Sequence, residues 1–373
     1  RRVLLGSRDP IRSDRSSMSL RDYLKQLGSH RSQGRNLTSE EAYRAFGLIL
    51  EGGESEIRTG AFLTALRWKG VTVEELVGFA RAMRDRCRMP RVDGAGFVAI
   101  CPPHGGYETQ PPLDVAAGLI AAGSGARVLL VTERCAPPRR GLTAASVLQA
   151  LGGGLTWDPS EAEAWIREHR FAGLCAVGML PALLGLRKVA QEVGVRTPLS
   201  TVVKLIAPAN AAVVLGARSG PVLGTAVEVI QTLGHSRGMA IQGLEGGVVP
   251  TLCKRSRGIQ LDGQHQLPMT IDPGDFGLQC EADAELPLFM PGEEGLGSGD
   301  NPALVAACGD VTRAVLAGQS GPARNQALLT AALVLRAAAL VPTLADGLHR
   351  ATESLDSGAA SAVLESLCRA GTL

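Results

Sequence analysis

Aromatic side chains are scarce in this chain, since Phe, Trp and Tyr make up only 3% of its 373 residues. Proteins that bind single-stranded nucleic acid without sequence preference stack the bases on aromatic rings. The scarcity therefore argues against a stacking platform of that kind. An excess of one charge is also lacking, because 38 basic and 36 acidic residues leave a net charge of +2. Any basic surface must therefore be local.

Paired cysteines and long apolar runs are absent from the sequence as well. None of the eight cysteines forms a Cys-x-x-Cys pair, so neither a zinc site nor a redox motif is indicated. Several cysteines lie in apolar stretches, which predicts reduced thiols in the core. No run approaches the ~20 apolar residues of a membrane-spanning helix, so we expect no membrane partner.

The first 17 residues are rich in Arg and Ser and precede Met18. We interpret 1–17 as a disordered segment, an upstream extension or the remnant of a targeting peptide. Asp9 and Asp14 weaken the targeting interpretation, because transit peptides contain few acidic residues. We expect an intracellular, soluble, cytoplasmic protein, with a plastid or another organelle as the alternative.

Residues 18–90 have the pattern of a small all-helical domain. Thr38 and Glu41 are spaced as a capping box that begins a helix, and Thr72 and Glu75 repeat the spacing. After residue 94 the pattern changes, and β-branched runs alternate with helical segments. Alternation of this kind predicts an α/β domain over 91–373, with a mostly parallel sheet flanked by helices.

The expected strands and helices of the α/β domain can be placed along the chain. Strands are expected at Phe97–Ile100, Val128–Val131, Gly173–Val177, Met239–Gln242 and Gly247–Val249. Helices are expected at Leu113–Ala122, Ala144–Leu151, Pro159–His169, Val222–Leu233, 326–340 and 359–369. The Pro- and Gly-rich residues 286–302 are expected to form a loop.

The loop over 101–114 lies between a strand candidate and a helix start, which is where α/β folds often hold phosphate. Backbone N–H groups bind the anion at such a point. This loop contains four prolines, and proline has no N–H to donate. The sequence therefore predicts the architecture of a phosphate site with fewer donors than such a site needs.

Several strings occur in a familiar order along the chain. They include Gly60-Ala61-Phe62-Leu63-x-Ala65-Leu66-Arg67-x-Lys69-Gly70, Asp272-Pro273-x-Asp275-Phe276-Gly277-Leu278, Gly321-Pro322-Ala323-Arg324-Asn325 and Leu355-Asp356-Ser357-Gly358. With these strings the chain resembles the anthranilate phosphoribosyltransferase family, within glycosyltransferase family 3 and the nucleoside-phosphorylase-like transferases. The resemblance implies a homodimer formed through the helical domain, which helices near 180–205 would complete.

The resemblance also places the family's working positions on residues of different chemistry. Members bind the pyrophosphate of phosphoribosyl pyrophosphate with a Gly-Thr-Gly-Gly-Asp loop. That loop falls here on Pro102, Pro103, His104, Gly105 and Gly106. An Asn-x-Ser-Thr stretch that binds phosphate falls on Pro112, Leu113, Asp114 and Val115, so a carboxylate lies where an anion would bind. The resemblance therefore implies a degenerate phosphate loop.

Two further positions are changed. The family's Lys-His-Gly-Asn-Arg-Ser loop falls on Thr132, Glu133, Arg134, Cys135, Ala136 and Pro137. The family's Asp-Glu pair, which holds magnesium, falls on Val248 and Val249, and alkyl side chains cannot ligate a hard cation. We therefore expect no metal, no cofactor and no catalytic residue of the family type.

These changes predict a catalytically degenerate member that acts as a dimeric binding protein for nucleic acid or another polyanion. A divergent bacterial branch of the family consists of homodimers that bind nucleic acid, and the chain is similar to it at Thr201-x-x-Lys204-Leu205-x-x-Pro208 and Gly243-x-Glu245-Gly246. The candidate anion-binding residues are Arg134, Arg139, Arg140, Lys204, Lys254, Arg255 and Arg257.

Three alternatives stay open from the sequence. The loop cations are simply solvated in the first. In the second, the chain is an enzyme with a changed substrate, such as a phosphoribosyltransferase acting on an aromatic or base acceptor, with His104, Glu108 and Glu245 around a closed pocket. In the third, it is a structural subunit of a larger assembly.

Overall fold

The computed structural model describes residues 18–28, 34–133, 142–218, 220–288 and 301–370. Its N-terminal part is helical and the remainder is an α/β domain. The helices of the N-terminal part are α1 (Leu20–Gly28), α2 (Ser39–Leu50), α3 (Glu56–Lys69) and α4 (Val73–Arg84). Both predicted capping boxes are present, since Thr38 and Thr72 accept hydrogen bonds from the backbone of Glu41 and Glu75.

Three aromatic rings form the centre of the helical part. The ring centroids of Phe46 and Phe79 are 5.0 Å apart, and those of Phe62 and Phe79 are 6.3 Å apart. Gly78 lets α2 and α4 approach closely, because a Cβ at this position would overlap the Ser39 carbonyl oxygen. Aromatic packing and close backbone contact together fix the bundle.

The α/β domain is built on a sheet with the strand order β3-β4-β2-β1-β5-β6-β7-β8. Its strands are β1 (Phe97–Cys101), β2 (Arg127–Thr132), β3 (Leu155–Thr156), β4 (Phe171–Cys175), β5 (Ala212–Ala217), β6 (Arg237–Gln242), β7 (Ser256–Asp262) and β8 (His265–Ile271). The first six strands pair in parallel, and β7 and β8 add an antiparallel edge. The predicted fold class, a helical part beside a mostly parallel α/β domain, is confirmed.

The helices of the remainder are α5 (Asp114–Gly123), α6 (Ala144–Leu151), α7 (Pro159–His169), α8 (Ala176–Met179), α9 (Leu183–Val193), α10 (Leu199–Val202), α11 (Gly220–Thr232), α12 (Pro302–Leu316), α13 (Pro322–Ala337), α14 (Leu344–Asp356) and α15 (Ala359–Ala370). They flank this sheet or, as α9 and α10 do, pack on the N-terminal helices. Helix α9 packs on α3, and the Lys188 ammonium bonds the Glu56 carboxylate at 2.9 Å. Residues near 180–205 thus contact the helical part, while the boundaries at 17/18 and 90/91 stay predictions.

Two features of the fold differ from the sequence-based expectation. The strand expected at Gly247–Val249 is wrong: the chain forms a short 3-10 helix, Leu244–Gly246, and Glu245 has a φ of 53°. The Gly247 carbonyl lies against Gly216, where a Cβ would overlap it, so the segment crosses the end of β5 rather than adding a strand. Strand β5 itself was not predicted, although it lies at the centre of the sheet.

The cysteines fit the expected core positions only in part. Cys101, Cys175 and Cys308 are buried, whereas Cys253 is exposed. Cys135 and most of the loop expected at 286–302 lie outside the described residues. No helix in the described part of the chain is long and apolar enough to span a membrane.

Candidate functional site

The candidate site lies at the carboxyl ends of β1, β5 and β6, which are neighbours in the sheet. The carboxyl ends of parallel strands meet at one edge, where ligands bind in open α/β folds. The segments that leave these strands begin at Pro102, Arg218 and Gly243. They bring together residues that are more than a hundred positions apart in the sequence.

Glu245 fastens the loop after β1 to the segment after β6. Its carboxylate accepts hydrogen bonds from the backbone N–H groups of Glu108 and Thr109, both at 2.8 Å, and from Thr109 Oγ1 at 3.0 Å. Arg218 Nε donates to the Glu245 carbonyl at 3.3 Å. A positive φ in a residue other than glycine is strained. The strained backbone at Glu245 thus directs its carboxylate towards two loop N–H groups. These groups hold the carboxylate in the way that they would hold a bound anion.

Asp114 places a second carboxyl group at this edge, at the start of α5. Tyr107 and Asp114 are both buried, and the Tyr107 hydroxyl donates to Asp114 Oδ1 at 2.9 Å. Burial raises the pKa of Asp114 to about 6, and the hydrogen bond from Tyr107 partly opposes that rise. Asp114 Oδ2 is buried without a hydrogen-bond partner among the described residues. The N-terminus of this helix therefore holds an internal acid.

Val248 and Val249, on which the resemblance places the family's magnesium pair, have side chains that cannot ligate the metal. Val248 and Val249 are buried, and neither has a side-chain oxygen to offer. The nearby Glu245 carboxylate is occupied by loop N–H groups. Across the part of the chain that the structure describes, no cluster of three or more His, Cys, Asp and Glu side chains is arranged for a metal ion.

Lys204 is not the solvent-facing cation that the sequence suggested. Its side chain is buried, and Nζ donates to the carbonyls of Gly246 at 2.7 Å and Gly216 at 3.2 Å. Burial lowers the pKa of Lys204 to about 8. The ammonium therefore fastens the turn around Glu245 to the end of β5, which is a structural contact.

The other candidate cations divide into two groups. Lys254, Arg255 and Arg257 are exposed at the start of β7. Arg255 Nε contacts Asp272 at 2.5 Å and keeps most of its side chain in solvent. Lys254, Arg255 and Arg218 line an open cavity of about 470 Å³ next to Glu245. Arg134, Arg139 and Arg140 lie outside the described residues.

A second cavity, of about 460 Å³, opens between the loop 103–106 and helix α9. Of the loop's residues, Pro102 is buried, Gly105 is exposed, and Pro103, His104 and Gly106 lie between these extremes. Burial of the ring lowers the pKa of His104 to about 4. Arg187 lines the same cavity and pairs with the buried Glu133. The sequence has no motif that predicts the pair of Arg187 and Glu133. An arginine in an amphipathic helix is ordinarily a surface residue, so Arg187 gave no signal.

Family models match most of the chain. A model described as the helical bundle domain of a glycosyl transferase family matches residues 21–87, and its α/β domain matches residues 105–361. The anthranilate phosphoribosyltransferase of Anaeromyxobacter sp. (strain K) is 35% identical over 346 residues, covering 91% of this chain and 96% of that protein. The enzyme of that name from Rubrobacter xylanophilus is 32% identical over 341 residues, covering 90% and 94%.

Solved structures give the same assignment of the fold. The crystal structure of anthranilate phosphoribosyltransferase from Thermus thermophilus matches with a TM-score of 0.78 and 29% identity, covering 95% of this chain and all of that one. The Saccharomyces cerevisiae enzyme, in complex with PRPP and Mg, matches with a TM-score of 0.76 at 16% identity, covering 95% of this chain and 98% of that one, which shows the fold alone. The sequence relatives and both matched domains show that the chain belongs to the anthranilate phosphoribosyltransferase family.

Proposed function

We propose that this chain is a family member without phosphoribosyltransferase activity, and that it binds the phosphate backbone of nucleic acid along the cleft rim formed by Arg218, Lys254, Arg255 and Arg257. It needs neither magnesium nor another cofactor. The observation that supports the first half of the proposal is that two carboxyl groups, those of Glu245 and Asp114, lie at this edge of the sheet, where an anion would bind.

Two internal acids compete with an external pyrophosphate at the cleft. Glu245 already takes the N–H groups of Glu108 and Thr109, and Asp114 lies at the start of α5. A pyrophosphate brought to this edge would meet like charge and would find those N–H groups occupied. Removing a single donor from a preorganised anion site costs roughly 10²–10³ in rate. Loss of the metal ligands at Val248 and Val249 adds to that cost.

The rim supports the second half of the proposal. Lys254, Arg255 and Arg257 are close together in the sequence and are all exposed. Arg257 Nη1 lies 3.5 Å from the position of a Cβ on Gly220, which begins helix α11. Cations beside a helix N-terminus favour phosphate groups. A nucleic-acid backbone can contact such a rim without entering the cleft.

The test is a fluorescence titration of the full chain with duplex DNA, single-stranded DNA and RNA at about 50 and about 200 mM salt. The triple variant Lys254→Gln, Arg255→Gln, Arg257→Gln should bind more weakly. It should also lower the slope of log K against log salt by roughly 2–3 units, because each lost phosphate contact removes about 0.7–0.9 unit.

The matched control removes three exposed arginines that lie away from the rim. Arg44→Gln, Arg167→Gln and Arg369→Gln change the net charge by the same amount. This control should keep the wild-type slope. Equal losses of nucleic-acid affinity in the two triple variants would refute binding at the rim. Salt-independent affinity, or no binding by the wild-type chain, would refute the nucleic-acid proposal as a whole.

We also propose a homodimer through helix α3. Ile57 and Trp68 are 87% and 82% exposed, while Phe62 and Leu66 on the same helix are buried. The helix thus carries apolar side chains on both faces, and Ala61 lies between Ile57 and Trp68 on the exposed one. Light scattering should show a dimer that Trp68→Glu converts to monomer, whereas Arg67→Glu should not. A monomeric wild-type chain would contradict this arrangement.

A further inference from the structure

Two cysteines that are distant in the sequence lie on segments that are hydrogen-bonded to each other. The Cys280 N–H donates to the Leu252 carbonyl at 3.2 Å, and Cys253 Sγ donates to the Glu281 carbonyl at 3.5 Å. The Leu252 N–H donates to Asp283 Oδ1 at 2.6 Å and adds a further bond between the same segments. Each cysteine thus contacts the residue next to the other one.

These contacts bring the two cysteines within the range of a disulfide. Backbone segments that pair through N–H···O=C bonds have facing Cα atoms about 4.5–5.5 Å apart. A disulfide spans about 4.4–6.8 Å between its Cα atoms. The Cys280 Sγ atom lies 3.5 Å from the Leu278 carbonyl oxygen and 3.6 Å from Asn325 Nδ2. A bond between Cys253 and Cys280 therefore needs a rotation of side chains rather than a displacement of the backbone.

Exposure distinguishes this pair from the other thiols. Of the cysteines in the described ranges, Cys253 is the exposed one, and Cys280 is partly exposed. Burial raises the pKa of Cys87, Cys101 and Cys308 to about 12. The thiolate is the form that reacts with oxidants and with a second sulfur, so these three thiols stay inert at neutral pH.

The chain between the two cysteines forms the antiparallel edge of the sheet. Strands β7 and β8 lie between Cys253 and Cys280, so the two thiols are at the base of this hairpin. The hairpin segment also contains Lys254, Arg255 and Arg257. A covalent bond at the base would close the segment into a loop and restrict its local opening.

We propose that Cys253 and Cys280 are a peroxide-responsive thiol pair, which forms a reversible disulfide at the base of the β7–β8 hairpin. Cys253 is the sulfur that meets the oxidant, and Cys280 is the resolving thiol. The pair goes beyond the nucleic-acid proposal, because neither thiol is a rim residue and the disulfide is measured without nucleic acid.

The reaction proceeds in two balanced steps. Hydrogen peroxide transfers one oxygen to the Cys253 thiol, which becomes a sulfenic acid, and the other oxygen leaves as water. The Cys280 sulfur then attacks the Cys253 sulfur, the S–O bond breaks, and hydroxide leaves with the Cys280 proton as a second water. Two thiols are oxidised and one peroxide is reduced. A dithiol reductant reverses the result.

The test is peptide mapping of the full chain after treatment with a small molar excess of hydrogen peroxide and alkylation of the remaining thiols. Trypsin cleaves after Lys254 and Arg257, so the two cysteines lie on separate peptides. The map should show these peptides joined, with a mass lower by two hydrogen atoms than their sum. Dithiothreitol should separate them.

The variants assign the two roles. Cys280→Ser should abolish the joined peptides and leave a sulfenic acid on Cys253, which dimedone traps. Cys368→Ser changes another partly exposed cysteine, on α15, and should leave the disulfide unaffected. Hydrogen exchange at the β7 and β8 amides should be at least about tenfold slower in the oxidised wild-type chain than in the treated Cys280→Ser variant.

The wild-type map needs no variant, so it decides the question even if Cys280→Ser does not fold. Alkylated Cys280 beside an overoxidised Cys253, or a Cys253–Cys253 bond between two chains, would overturn the pairing. Unchanged hydrogen exchange in a chain that does form the disulfide would overturn its effect on the hairpin.

Discussion

Glu75 in the helical part and Asp114 at the sheet edge are both fully buried carboxyl groups, but their surroundings differ. The Glu75 carboxylate accepts from the Leu37 N–H at 2.9 Å and from the Lys69 ammonium at 2.8 Å. Asp114 has one bond from Tyr107, and its second oxygen is unpaired within the described residues. The contacts of Glu75 stabilise the fold. The burial of Asp114 with an unpaired oxygen costs free energy, which an acid with a purely structural role would avoid.

The contrast extends beyond these two acids. Of the six buried side-chain atoms without a partner in the described ranges, four lie on or facing the loop after β1: His104 Nε2, Gln110 Oε1, Asp114 Oδ2 and Arg187 Nη1. Unsatisfied polar groups are expensive, so folds keep few of them away from functional sites. The cleft therefore has the character of a binding region.

The largest effect is expected from breaking the satisfied acid. Glu75→Ala removes the buried carboxylate that accepts hydrogen bonds from the Lys69 ammonium and from the backbone N–H groups of Leu37 and Thr72, and should lower the free energy of unfolding by about 3–5 kcal/mol. Glu74→Ala on the same turn is exposed and should cost under about 0.5 kcal/mol. Urea denaturation measures both. Equal effects at the two positions would remove the distinction between the regions.

A change of the unsatisfied acid should act in the opposite direction. The folded pKa of Asp114, about 6, lies above its ordinary value of 3.8, so the folded state binds more protons between these values. The contribution of Asp114 is therefore most favourable below pH 3.8 and is lost as the pH rises towards 6.

Asp114→Asn keeps an oxygen that can accept from the Tyr107 hydroxyl, and it removes the ionisable carboxyl group. It should raise the free energy of unfolding at pH 7 by about 2 kcal/mol, with little effect near pH 4. Unfolding curves at several pH values provide the measurement. A destabilised variant at pH 7 would show that the charge of Asp114 is compensated.

A smaller effect is expected at Glu245. Glu245→Ala removes the acceptor of the Glu108 and Thr109 N–H groups, which should lower stability by about 1–2 kcal/mol and speed hydrogen exchange at both amides. It should also strengthen binding of inorganic pyrophosphate, because two N–H donors become available. Unchanged exchange at Thr109 would show that the carboxylate does not hold the loop.

Local elements were predictable from the sequence where the pattern is periodic or capped. Helices α6 and α7 have the predicted bounds because a cap residue precedes each of them. Strand β5 was missed because its short apolar run of small residues has no period that distinguishes strand from helix. The edge strand β8 is mostly exposed and lacks a buried face.

The sequence predicted a candidate region for the site but none of the contacts within it. The resemblance drew attention to the loop 102–106 and to Val248 and Val249, and that placement stays a prediction, whereas the Glu245 contacts join residues 136 and 137 positions apart. The pair of Arg187 and Glu133 forms only when the folded chain brings α9 to the segment that follows β2. Long-range pairing of this kind depends on the tertiary fold, and no local pattern encodes it.

The most direct measurement is calorimetry of phosphoribosyl pyrophosphate with magnesium, using the full chain and, as positive control, the Anaeromyxobacter relative. The account predicts that the relative binds the magnesium complex and that this chain gives no magnesium-dependent heat, because Glu245 and Asp114 occupy the anion positions and Val248 and Val249 supply no ligand. Magnesium-dependent binding by this chain would contradict the account and restore the transferase function.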